Sequence, residues 1–99
     1  MKEATQSPRV HFLVCGNTRP EESPLGRGCG LVGEHVYVTL KQEVTRAQAH
    51  VDVWITKTAC LGLCPKRGAT VAVYPLRKFF TEVEVADAKE LFEHHGKKR

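Results

Sequence analysis

The chain has 99 residues, of which 41% are hydrophobic and 26% charged, with eight glycines, five prolines and four cysteines. That length makes one domain, and the composition belongs neither to a disordered chain nor to a membrane protein. Fifteen Lys and Arg against eleven Asp and Glu leave a formal net charge of +4. The excess is modest and not interleaved with aromatic residues, which argues against a nucleic-acid stacking surface.

A domain this small buries only about 60–70% of the surface its unfolded chain exposes, so a cofactor, metal or partner subunit would help to hold it. No stretch approaches the roughly 18 apolar residues that cross a membrane. The start, MKEATQSPRV, lacks the apolar segment of a secretion signal. A cytoplasmic location is expected, where thiols stay reduced. Four cysteines there point to metal or redox chemistry before structural disulfides. Residues 9–95 are expected to form the domain, with 1–8 and 96–99 as flexible tails.

The first element is RVHFLV at 9–14, short, β-branched and aromatic, which predicts a buried strand running up to Cys15. GNTRPEESPLGRG follows at 16–28, with two Pro and three Gly, and reads as a long loop closed by Cys29. From 30 to 46, Val32, Val36, Leu40 and Val44 recur every four residues. This predicts a helix with Glu34, Lys41 and Glu43 off its apolar face, although HVYVTL also has strand propensity.

VDVWITKT at 51–58 alternates, with Val51, Val53 and Ile55 on one side, and predicts a second strand ending just before Cys60. Trp54 on that strand reads as a packing residue rather than an electron relay. ATVAVYP at 69–75 is a third strand, and RKFF at 77–80 is placed to return as its hairpin partner. The last element is a helix over 84–95, with Val85, Ala88, Leu91 and Phe92 facing the core. The order β-α-β-β-β-α is an α/β class. It predicts a parallel strand pair joined by a crossover, an antiparallel hairpin and helices packed on the central sheet, which is thioredoxin-like in outline.

If the first two strands are parallel neighbours, their carboxyl ends share one edge of the sheet, where loops of open α/β folds hold ligands. Cys15, Cys29, Cys60 and Cys64 would then converge. Four thiolates suit zinc or an iron–sulfur cluster. Structural zinc sites are built from close pairs, whereas here Cys60 and Cys64 are separated by three residues and Cys15 and Cys29 by thirteen. The mixed spacing favours a cluster, whose thiolates are spread over two irons, and leaves a zinc-stabilised interaction module as the rival. A dithiol enzyme using Cys60 and Cys64 is disfavoured by the three-residue spacer. The five histidines are scattered or end a helix, and none is needed as a ligand.

The segments VCGNTRP, GRGCG, TACLGLCPKRGATVAVYP and FFTEVEVADAKELFEHH resemble the thioredoxin-like 2Fe–2S ferredoxins, also called Shethna-type, from about residue 9 to 95. Where that family usually carries Pro after the loop glycine, this chain has Ala69. The resemblance implies one 2Fe–2S cluster near the surface, ligated by Cys15, Cys29, Cys60 and Cys64. It also implies electron transfer between redox partner proteins, and often a homodimer. No nucleophile–base pair or phosphate-binding glycine loop marks an enzyme. Lys66 and Arg67, beside Cys64, are candidates for docking a partner with an acidic surface. A cluster-based redox sensor would carry the same residues as a carrier.

Overall fold

The computed structural model describes residues 1–16, 30–59, 61 and 68–97. Their elements are β1 (Val10–Cys15), α1 (Gly30–Arg46), β2 (Val53–Thr58), β3 (Ala69–Tyr74), β4 (Lys78–Val83) and α2 (Val85–Leu91), which continues as a π-helical turn over Phe92–Gly96. Among the described residues the strands form one four-stranded sheet in the order β2-β1-β3-β4. β1 and β2 are parallel, in the register Val10↔Val53 to Cys15↔Thr58. β1 pairs antiparallel with β3, and β3 with β4. The expected crossover unit and hairpin are therefore both present, with β1 and β3 as the inner strands.

Strand alternation explains the layering. Val10, Phe12 and Val14 of β1, Val53 and Ile55 of β2, and Val71 and Val73 of β3 are buried in one cluster with Val36, Leu40 and Val44 of α1 and Ala88, Leu91 and Phe92 at the chain end. Both helices thus cover the same side of the sheet. Residues of opposite parity face the other way: His11 lies level with Trp54 on one side and Tyr74 on the other. The His11 and Trp54 rings meet edge to face, as do those of Tyr74 and Phe79. Trp54 does pack, but on this second side, with its indole N–H donating to the Val51 carbonyl.

Several sequence expectations shift by a residue or a face. Val51 lies before β2 and is exposed, because the turn after α1 is closed by Asp52 and Val53 N–H groups donating to the Ala49 carbonyl. Val85 is exposed as well, being the first residue of α2, whose Glu84 N–H donates to the Asp87 carboxylate at 2.9 Å. Glu43, expected off the apolar face, is buried with its carboxylate 3.0 Å from Arg46. It stands three residues after Leu40 and seven after Val36, so helical geometry puts it on their stripe. At the far end, Arg9 joins the Asp52 carboxylate to the Gly96 carbonyl. A Cβ at Gly96 would lie 2.5 Å from the Phe92 ring. No helix among the described residues is long and apolar enough to cross a membrane.

Candidate metal centre

Cys15 is the last residue of β1 rather than the first residue beyond it, and it is fully buried. Its thiol is free, with Sγ 4.0 Å from the Ala59 carbonyl oxygen. The parallel pairing sets Cys15 level with Thr58, and the next N–H, of Gly16, donates to the Thr58 carbonyl at 2.9 Å. The chain therefore leaves β1 and β2 side by side, as parallel neighbours must. Cys29, Cys60 and Cys64, and with them Lys66 and Arg67, lie outside the described residues. Among the described residues no three metal-ligating side chains gather.

Four described residues next to or near those cysteines, Gly30, Ala59, Leu61 and Gly68, lie towards the edge on which Cys15 sits. Ala59, next to Cys60, accepts the Cys15 thiol contact. Leu61, on the other side of Cys60, packs partly buried against the core. Gly30, which follows Cys29, opens α1, and Glu34 one turn later is ion-paired to Lys57 near the end of β2. Gly68, four residues after Cys64, leads into β3. Since Val14 pairs with Val71, the antiparallel register puts the start of β3 beside the end of β1. The ends of β1 and β2 and the beginnings of α1 and β3 thus meet at one edge of the sheet.

Two glycines at this edge approach their neighbours closely. Gly68 has φ +72°, in the left-handed region, and a Cβ there would lie 2.6 Å from the Glu82 carbonyl carbon. Gly16 makes room for the Lys57 stem: its Cβ would stand 2.7 Å from Lys57 Cγ. The Lys57 ammonium lies 5.5 Å from the Tyr37 ring centroid, and Lys41 approaches the same ring at 5.9 Å. Sequence reasoning missed this group. Glu34 and Lys57 are 23 residues apart, and only the crossover brings them together.

The arrangement is a thioredoxin-like α/β domain with a cysteine-bearing loop edge. Neither a family model nor a curated protein matches the chain in sequence. Solved structures do. The thioredoxin-like [2Fe-2S] ferredoxin from Aquifex aeolicus superposes with a TM-score of 0.78 and 28% identity, covering 90% of this chain and 86% of that one. A cysteine-to-serine variant of the same ferredoxin gives 0.79 and 29%, over 89% and 87%. A further structure of that ferredoxin gives 0.80 and 28%, over 92% and 83%. The resemblance to thioredoxin-like ferredoxins carried by the cysteine motifs thus extends to the fold and to about nine tenths of the chain.

Proposed function

We propose that the chain is a small ferredoxin, carrying one electron on a 2Fe–2S cluster ligated by Cys15, Cys29, Cys60 and Cys64. The observation that carries this reading is the meeting of β1, β2, α1 and β3 at one edge, where each element ends or begins within five residues of a cysteine. The structural likeness to the Aquifex aeolicus ferredoxin supports it. So does a detail of spacing: the two cysteines replaced by serine in that protein's solved variants are separated by the same three-residue spacer as Cys60 and Cys64.

The donor set fits such a group. Four soft sulfur donors are what an iron–sulfur cluster takes, and Cys15 offers a free thiol turned away from solvent. When bound, the cluster supplies a one-electron redox couple. The chain's own residues hold and bias it. Cys29 precedes the N-terminus of a 17-residue helix, whose partial positive charge favours a thiolate. Val14, Val36 and Val71, buried in the core near that edge, would help to keep water from the bound group. Lys66 and Arg67 dock an acidic surface on a redox partner in this reading. The protein works in a reducing compartment such as the cytoplasm, as a carrier rather than an enzyme. The homodimer implied by the resemblance is part of the same proposal.

The test is an anaerobic visible spectrum of the purified chain, with iron and sulfide assayed on the same sample. Broad bands that bleach on reduction, with iron and sulfide in equal amounts, are expected. Cys60→Ala and Cys64→Ala should each lose the bands or release iron within hours. A chain that stays colourless after anaerobic reconstitution and binds one zinc would replace the carrier with a structural module. Unaltered iron content and redox behaviour in both variants would remove these cysteines from the ligand set.

A further inference from the structure

On the reading that Cys15, Cys29, Cys60 and Cys64 hold the cluster, we infer that Lys57 and Glu34 form a charge pair that tunes how readily the centre accepts its electron. Lys57 stands on β2 level with Val14, one residue before the partner of Cys15. Its stem lies across Gly16, the residue that follows Cys15, so closely that no Cβ fits there without displacement. Its ammonium is ion-paired with Glu34 and set against the Tyr37 ring. Glu34 lies four residues into α1, about 6 Å along the helix axis from its start beside Cys29. The pair therefore spans the end of β1, the end of β2 and the beginning of α1, each adjoining one of the four cysteines.

Stability does not account for this placement. Lys57 and Glu34 are 43% and 44% exposed, and ion pairs of that exposure contribute little to folding. Their effect on a neighbouring redox centre is different in kind. Two ferric ions, two sulfides and four thiolates already carry excess negative charge, and reduction adds one more electron while no bond is made or broken. A fixed charge within about 10 Å acts directly on that added charge, and added salt weakens this action as the Debye length shortens. The ammonium favours the reduced state and the carboxylate opposes it. Paired, they nearly cancel; separated, each leaves a net charge of opposite sign at the rim. Tyr37, between Lys57 and Lys41, holds the ammonium in place through its ring face.

The experiment is a spectroscopically monitored redox titration, at low and high salt, of the wild type, Lys57→Gln, Glu34→Gln and the double variant. Dithionite serves as reductant, and iron and sulfide are assayed in every sample. Glu34→Gln is expected to raise the potential, because it leaves the ammonium unpaired. Lys57→Gln is expected to lower it, and the double variant to return towards wild type, with all shifts shrinking as salt is added. Single variants that keep their cluster but shift in the same direction, or not at all at low salt, overturn the pair as a tuning device. A purely structural role predicts that second pattern, since loss of either partner breaks the same bridge. A wild-type chain that holds no iron and sulfide overturns the ferredoxin reading itself, and this inference with it.

Discussion

Cys15 and His11 sit four residues apart on one strand and show how much a single position depends on what lies beside it. Cys15, at the buried end of β1, touches the Ala59 carbonyl and faces the cysteine-bearing edge. His11 lies on the side of the sheet away from the helices, packed edge-on to Trp54, with Nε2 2.7 Å from the Thr56 hydroxyl. Partial burial there lowers its pKa from the ordinary value of 6.5, because the charged imidazolium loses hydration. The folded chain then binds fewer protons than the unfolded chain just below pH 6.5. Stability contributed by the neutral ring is complete above that pH and declines as acidity increases towards the lowered pKa. Denaturant midpoints measured at pH 7.5 and 5.5 should fall more for the wild type than for His11→Asn. Equal falls would remove His11 from the acid response. The identity of the cysteines as ligand candidates was legible in their residue type and spacing. The burial of Cys15 was not, since it depends on which segments the fold brings against the end of β1.

At the scale of elements, periodicity did most of the work. The four-residue recurrence of Val32, Val36, Leu40 and Val44 placed α1 over the residues it occupies, against the strand propensity of HVYVTL. Tertiary burial of one helical stripe outweighed local preference. The same reasoning misplaced Glu43, because acidic type was allowed to decide its side when its spacing from Leu40 put it on the buried one. β4 extends to Val83, beyond the aromatic pair that suggested it, because antiparallel pairing with Ala69 carries Val83 into the core. The turn into β3 depends on one conformation. Gly68→Ala would force a side chain into the left-handed region, costing about 1–2 kcal/mol, and against the Glu82 backbone. Its urea midpoint is expected to fall by at least that equivalent. An unchanged midpoint would mean that the β3–β4 pairing relaxes freely around the new methyl group.

At the scale of the molecule, the domain is small, with both helices on one side of the sheet. One apolar layer is a modest source of stability for a chain of 99 residues. A group bound only by the folded form would add to it by mass action. Removing the proposed cluster by acid and chelator, then returning the apoprotein to neutral pH, should lower the thermal midpoint measured by circular dichroism. Anaerobic reconstitution should restore it. Identical midpoints with and without iron and sulfide would mean that the core and the Arg9–Asp52–Gly96 contacts suffice to hold the fold, and that the centre binds without supporting it.

By itself the sequence determined the order of elements, the apolar stripe of α1 and the α/β class, and it supplied the four cysteines as the donor set proposed above. Each of these is local in origin, resting on side-chain period, turn residues or ligand chemistry, and a few neighbouring residues carry it. Tertiary structure decided the strand order β2-β1-β3-β4, the alignment of Trp54, His11 and Tyr74 on the side of the sheet away from the helices, and the meeting of Lys57 with Glu34 beside Gly16. Those depend on strand register and on the crossover folding α1 back over the sheet. Register is a property of two segments at once, set by which faces can be buried together, and no single stretch of chain contains it.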